Sequence, residues 1–206
     1  MLHESNDKQN QPLCQALVCG IPLVIKGGWP IVIIGTLSLF CGYAYTGGPF
    51  PLAYHGFGDL FVILFFGIIA VSGLTFLQTG ELHTESILAG LQVGCLATVL
   101  IAINNFRDKD GDQKVNKKTL AVRFGPTFVR FEIIFLISLS FLINIYWWNE
   151  GFKIPALLSL LSLPLGILLI KNILTVEPSP IYNKFLAQSA LLHLLFGVLL
   201  SLGFSL

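Results

Sequence analysis

The residues in this chain with the means to do chemistry are gathered between Asn104 and Leu120. Three carboxylates (Asp108, Asp110, Asp112) and five cations (Arg107, Lys109, Lys114, Lys117, Lys118) stand there between stretches that are almost wholly apolar. If the apolar run before them continues as a helix, Asp108 and Asp112 are four residues apart and share a face. Asp110 then points elsewhere, and Gly111 lets the backbone bend. Two like charges on one face repel unless a cation lies between them. Hard oxygen ligands suit Mg²⁺, which keeps several waters and is held by one or two carboxylates together with substrate phosphates. Lys114, Lys117, Lys118 and Arg123 could pair with the phosphate oxygens, the arginine in a bidentate manner. Beside a greasy cavity, such a set suits a ligand with a diphosphate head and a hydrocarbon tail. The plainer reading is a solvated loop in which Asp and Lys pair across a turn for little energy. Spacing leaves both open. Asn104 and Asn105 end an apolar run and want partners inside a bundle, whether a ligand or a neighbouring helix.

A second stretch, Tyr45 to Gly56, packs Gly47, Gly48, Pro49 and Pro51 closely together, so it must turn and cannot be helical. The Tyr45 phenol has two readings. It could stand near a diphosphate, with ring faces stabilising an allylic cation, or it could anchor the chain at a membrane interface. His55 reads as a surface loop residue.

The elements that position these residues must lie in lipid. Hydrophobic residues make up 54% of the 206 and charged ones only 11%, with a mean hydropathy of +0.79. A soluble domain carries about 25% charged residues. A net charge of +1 without a basic, aromatic-interleaved stripe gives no footprint for nucleic acid. Cys14, Cys19, Cys41 and Cys95 lie in or beside apolar runs without zinc spacing and read as buried packing residues. A spanning helix needs about 20 mainly apolar residues. Complete candidates lie at roughly 29–45, 59–77, 85–103, 128–147, 154–171 and 185–204. A shorter run at 13–25 is interrupted by Pro22 and closed by Lys26-Gly27-Gly28; it reads as a partial span behind a polar tail, residues 1–12. The expectation is an all-α polytopic membrane bundle. Gly90 and Gly94 form a small-xxx-small pair that favours close helix approach. Trp147 and Trp148 read as interfacial anchors, and Glu132, Asn144, Gln188 and His193 either line a cavity or satisfy one another.

Lysine and arginine distribution orients the bundle. With alternating spans, the loops at 46–58, 104–127 and 172–184 share a face with most of the basic residues, which makes that face cytoplasmic. The two stretches named above therefore meet on one side of the bilayer.

Asn104-Asn105-Phe106-Arg107-Asp108, then Asp112, then Lys117-Lys118-Thr119-Leu120-Ala121-Val122-Arg123-Phe124-Gly125 closely resembles the second aspartate-rich motif of the intramembrane aromatic prenyltransferases. Tyr45-Thr46-Gly47-Gly48-Pro49 with Tyr54-His55-Gly56 is similar to a loop of the branch that prenylates 1,4-dihydroxy-2-naphthoate for menaquinone synthesis. The resemblance implies a helical bundle in which two facing aspartate-rich motifs hold Mg²⁺ and grip a polyprenyl diphosphate. It implies Asp108 and Asp112 as metal ligands, with Tyr45 beside them at the reacting site. Arg107, Lys117, Lys118 and Arg123 would neutralise the diphosphate, and Asn104 and Asn105 would border the pocket. The partners implied are polyprenyl diphosphate, 1,4-dihydroxy-2-naphthoate and the lipid bilayer, in a bacterial inner membrane. An electron-rich naphthoate carbon attacks the allylic cation, and the ring carboxyl leaves as carbon dioxide. Asn116 stands where a glycine is usual, and Lys118 where arginine is common. The family's first motif, Asn-Asp-x-x-Asp, has no counterpart, and Asn6-Asp7 lacks its second aspartate. Residues 13–206 thus resemble the later part of a prenyltransferase domain lacking its first helices, and the chain alone is expected to turn over little. Competing readings are a non-catalytic membrane subunit or remnant, and a sister enzyme using 4-hydroxybenzoate, homogentisate or a haem precursor.

Overall fold

Inside hydrocarbon every backbone N–H and C=O must be paired within the segment, so apolar runs of this length have to coil into helices. The computed structural model describes the backbone of residues 2–46 and 52–206 and the side chains of 18–44, 52 and 54–206. It contains helices α1 (Leu2–Thr46), α2 (Gly58–Thr79), α3 (Thr84–Arg107), α4 (Lys109–Lys114), α5 (Leu120–Leu142), α6 (Asn144–Asn149), α7 (Lys153–Leu160), α8 (Leu163–Thr175) and α9 (Tyr182–Ser205). Five stretches are long and apolar enough to cross a membrane: Val18–Ala44, Gly58–Thr79, Thr84–Arg107, Leu120–Asn149 and Tyr182–Ser205. A sixth is made by α7 and α8 together, bent by 43°. The all-α membrane bundle read from the sequence is what forms.

Its boundaries shift in two places. The run at 13–25 is not interrupted at Pro22 and takes in the polar tail from Leu2. Within α1 it ends at a kink at Gly28, where Lys26-Gly27-Gly28 closes it as read from the sequence, and the Gly28 φ of 64° lies in the left-handed region that glycine enters without steric cost. The span expected from 128 begins at Leu120, across a second kink at Gly125-Pro126. There the proline cannot continue the hydrogen-bond ladder.

Helix α3 is the hub, packed against α2, α5 and α9. Its most apolar stretch is 56% buried, against 6% for α1. The α2–α3 seam depends on glycine. A methyl group on Gly94 would lie 2.7 Å from the Ile63 carbonyl oxygen, and one on Gly67 would collide with the Gly90 carbonyl. The Gly90/Gly94 pair thus brings the backbones together as its spacing predicts. Around Gly67 the turns of Val62–Ile69 widen to π-helical hydrogen bonding.

Buried polar groups tie α3 to α5, α6 and α7. Gln92 Nε2 donates to the Ser140 carbonyl (2.7 Å) and to Asn144 Oδ1 (2.9 Å). Trp147 Nε1 donates to Gln92 Oε1 (2.8 Å), and Asn144 Nδ2 to Ser159 Oγ (2.8 Å). Asn144 therefore satisfies its neighbours rather than a cavity. Gln188 similarly accepts from Asn172 Nδ2 (3.0 Å). Trp147 is no interfacial anchor: it is fully buried, with its ring edge-on to Phe204 at 5.0 Å. A buried indole needs an acceptor for its N–H, and Gln92 supplies it. Trp148, by contrast, is exposed, with the Lys153 ammonium 5.5 Å from its ring. Of the cysteines whose side chains are described, Cys95 is buried, Cys41 half-buried and Cys19 exposed on the outer side of α1. The uniform burial expected of them does not hold, because α1 packs along so little of its length.

Candidate functional site

Loops from three distant parts of the chain meet at one end of the bundle. The Lys118 backbone N–H donates to the Tyr54 carbonyl at 2.8 Å. This strap requires glycine at position 56: its φ is 77°, and a Cβ there would sit 3.0 Å from the Lys118 carbonyl oxygen. The third loop is held by Arg107, whose guanidinium donates to Asn183 Oδ1. Arg130 fastens the same end, donating to the Ile173 carbonyl (3.1 Å) and to Glu177 Oε1 (2.7 Å). The prediction from charge distribution that these loops share a side is borne out as direct contact.

Helix α3 stops at Asp108, and the short α4 carries Asp112 inward. The chain then reverses. Asn116 has a φ of 55°, the Lys117 N–H donates to the Asp112 carbonyl (2.9 Å), and the Asn116 N–H to that of Gln113 (3.2 Å). These are the paired bonds of a Schellman ending, which needs a left-handed residue after the helix. Glycine meets that need most cheaply and asparagine next, which explains why asparagine can replace the glycine usual in the motif. The reversal returns Lys117 over Asp112, with Nζ 3.2 and 3.1 Å from the two carboxylate oxygens.

Between these parts lies a polar pocket of about 420 Å³. The first loop gives Tyr54, Gly56, Gly58 and Asp59, and α3 gives Ile101, Asn104 and Asn105. The charged block gives Asp112, Val115, Lys117 and Thr119. At Ile101 it adjoins an apolar groove of about 650 Å³, where Cys41 of α1 faces Phe61, Phe65 and Phe66 of α2 and Leu100 of α3. Polar head space and oily tail space thus lie side by side, with Ile101 in the wall of both.

Four residues singled out from the sequence, Asn104, Asn105, Asp112 and Lys117, line this pocket. Asp108 stands outside its lining, gripped by Arg107: Nε donates to Oδ1 and Nη2 to Oδ2, both at 2.7 Å. That bidentate grip holds the Asp108 carboxyl below its ordinary pKa. Arg107 also donates to Asn104 Oδ1 (2.9 Å), bracing an amide of the pocket. Lys118 and Arg123 have exposed side chains, with Arg123 beside Gly56. The Tyr45 side chain and the Gly47-to-Pro51 turn lie outside the described residues. His55 is half-buried in the strap loop.

Sequence reasoning passed over Asp59. It is 6% exposed, in the first turn of α2 and on the pocket wall. The signal was present, since an acid opening an apolar span is a functional candidate by default. The densely charged block downstream drew attention from it.

No three His, Cys, Asp or Glu side chains among the described residues are grouped to hold a metal by themselves. Asp112 with the amide oxygens of Asn104 and Asn105 is a partial set of hard donors. It fits the way Mg²⁺ is held, with phosphate oxygens and water completing the shell.

The UbiA prenyltransferase family pattern matches residues 14–200, nearly all of the sequence. This chain belongs to the UbiA prenyltransferase family. Enzymes of the UbiA family generally depend on a divalent metal. The chain is 30% identical over 194 residues to the 1,4-dihydroxy-2-naphthoate octaprenyltransferase of Bacillus subtilis (strain 168), covering 91% of this chain and 61% of that protein. The protein of the same name in Haemophilus influenzae (strain ATCC 51907 / DSM 11121 / KW20 / Rd) is 35% identical over 182 residues, 82% of this chain and 56% of the relative. A 2-carboxy-1,4-naphthoquinone phytyltransferase of Synechocystis sp. (strain ATCC 27184 / PCC 6803 / Kazusa) is 26% identical over 181 residues, 85% and 58%. This UbiA chain thus spans about three-fifths of the length of the relatives it matches.

Proposed function

We propose that this chain contributes the diphosphate-binding half of an enzyme that transfers a polyprenyl group to 1,4-dihydroxy-2-naphthoate in menaquinone synthesis. One observation carries the reading: the polar pocket between Asp112, Lys117, Asn104 and Asn105 shares Ile101 in its wall with a neighbouring apolar groove. A prenyl diphosphate has that same division into charged head and oily tail. The naphthoate acceptor is supported by the names of the relatives in Bacillus subtilis and Haemophilus influenzae.

In this reading Asp112 inside the pocket, together with Asp108 at its rim, would hold Mg²⁺, and Arg107 would be a cation for the diphosphate. Bound there, Mg²⁺ would neutralise charge on the departing diphosphate. Lys117, already at Asp112, meets the same charge where it develops, and Lys118 and Arg123 extend the basic rim. Asn104 and Asn105 direct amide groups at the head. The Phe61 and Phe65 rings, stacked 5.6 Å apart on the groove wall, keep water from the allylic carbon and offer their faces to its positive charge. Tyr45, in the last turn of α1, is read as lying at the same end of the bundle. The membrane is a bacterial inner membrane with the pocket on its cytoplasmic face, where the basic loops lie. In this reading residues 13–206 form the later part of the domain, and because no three acids among the described residues are grouped to hold a metal, turnover needs further carboxylates at the site.

The test is prenyl transfer by membranes carrying this chain, with and without an upstream segment or second chain bearing an Asn-Asp-x-x-Asp motif. Magnesium-dependent product from 1,4-dihydroxy-2-naphthoate, with little from 4-hydroxybenzoate or homogentisate, is the expected result. Robust turnover by the chain alone would overturn its being half of the site, and preference for another acceptor would overturn the naphthoate assignment.

A further inference from the structure

Asp59 Oδ1 is one of two buried side-chain polar atoms with no hydrogen-bond partner among the described residues. The other is the neutral hydroxyl of Ser72, for which the cost is small. A carboxylate oxygen removed from water and left unpaired is far costlier, so such an atom in a native pocket calls for a partner that arrives with a ligand. The donors around it are otherwise placed: Lys117 is on Asp112, and neither Tyr54, Asn104, Asn105 nor Thr119 reaches it with a hydrogen bond. Asp59 is held where it is. The Thr98 hydroxyl, which donates to the Gly94 carbonyl at 2.8 Å, lies 3.4 Å from the Asp59 backbone carbonyl, and the glycine seam fixes α2 against α3.

The partner's chemistry follows by elimination. A diphosphate is an anion and is repelled by this carboxylate. Mg²⁺ in this pocket has Asp112 with the Asn104 and Asn105 amide oxygens, and phosphate oxygens and water complete its shell, so it does not need Asp59. What remains is a neutral O–H donor. Asp59 lies two residues before Phe61, where the aromatic groove begins, so that donor sits on a ring at the boundary of the two cavities. We propose that Asp59 Oδ1 accepts a hydrogen bond from a hydroxyl of the aromatic acceptor and thereby sets which ring edge faces the diphosphate. In 1,4-dihydroxy-2-naphthoate the 1-hydroxyl is spent on the adjacent carboxylate, so the 4-hydroxyl is the free donor. The anionic carboxylate then points away from Asp59, toward the basic rim. The assignment rests on the acceptor class named under Proposed function.

The test uses the purified chain and the fluorescence of two naphthoates, 1,4-dihydroxy-2-naphthoate and 1-hydroxy-2-naphthoate, which lacks the 4-hydroxyl. Binding of farnesyl diphosphate with Mg²⁺ is followed in parallel. A hydrogen bond to a charged group corresponds to about tenfold or more in affinity. The wild type should prefer the dihydroxy compound by about that factor. Asp59→Leu removes the acceptor together with its desolvation cost, so it should fold at least as well and bind both naphthoates alike. Asp59→Asn, which keeps an acceptor oxygen, should retain part of the preference. Diphosphate binding should be unchanged in both variants. Preference surviving in Asp59→Leu, or equal wild-type affinity for the two naphthoates, would overturn the assignment. A loss confined to farnesyl diphosphate and Mg²⁺ would do so as well, making Asp59 a cation ligand. If the wild type binds the diphosphate but neither naphthoate, the acceptor class under Proposed function fails and this assignment with it.

Discussion

Two clusters of polar groups interrupt this apolar bundle, and they are built on opposite terms. Around Gln92 every donor that matters has found an acceptor within the protein: Trp147 on Gln92, Gln92 on Ser140 and Asn144, and Asn144 on Ser159. Around Asp112 the groups face a cavity, charges are balanced by single ion pairs, and Asp59 Oδ1 has no partner among the described residues. A satisfied cluster stabilises the fold and has nothing left to offer a ligand. An unsatisfied one costs stability and gains its remaining partners on binding. Mutations should therefore separate the two clusters, one failing in stability and the other in ligand binding.

The largest effect is expected in the satisfied cluster. Trp147→Ala empties a fully buried site and strands Gln92, so unfolding should be easier by about 3–5 kcal/mol. Detergent- or heat-induced unfolding, followed by the remaining tryptophan fluorescence, measures it. The counterpart in the other cluster is Asp112→Asn. In an active context it should lower prenyl transfer by about 100-fold or more while the unfolding midpoint stays close to wild type. Reversed outcomes, stability lost at Asp112 and kept at Trp147, would break the distinction.

The seam between the clusters comes next. Gly94→Ala forces a methyl group against the Ile63 carbonyl and should destabilise by about 1–3 kcal/mol. Binding should weaken too, because α2 carries Asp59 and the groove phenylalanines. At Asn116 the prediction is finer. Asn116→Val puts a β-branched residue at a left-handed position and should cost about 1–2 kcal/mol, whereas Asn116→Gly should leave stability little changed. Both are read from unfolding midpoints.

The smallest effect concerns pH. The Asp108 pKa is lowered in the folded state by its hydrogen bonds from Arg107. Its contribution to stability is thus fully present above the ordinary aspartate pKa and is lost as pH falls through the lowered folded value. Asp108 is 41% exposed, so solvent screening keeps this contribution below about 1 kcal/mol. The wild type should lose slightly more stability on acidification than Asp108→Asn does.

Much of this architecture could be read from residue order, because apolar runs of spanning length have one structural outcome in lipid. Basic residues gathered on alternate loops likewise brought the Tyr54 loop and the charged block to one end. Local pattern was a poorer guide wherever tertiary packing decided the matter. Trp147 beside Trp148 looks like an interfacial pair, yet only contact with Gln92, more than fifty positions earlier, turns one of them inward. Pro22 looks like a helix interruption, but the chain stays helical through it as far as the glycines that close the run, kinking at Gly28. Asp108 and Asp112 share helical spacing, while the end of α3 at Asp108 sends one to the rim and the other into the pocket. Asp59 is one acid in an apolar run, and only the pocket around it gives it a role.

The most direct test is magnesium-dependent binding of farnesyl diphosphate to the purified chain, compared across the wild type, Asp112→Asn and Gln92→Met. The account predicts that Asp112→Asn weakens binding by about tenfold or more, while Gln92→Met, though less stable, binds like the wild type per folded molecule. Equal affinity in the wild type and Asp112→Asn would contradict it.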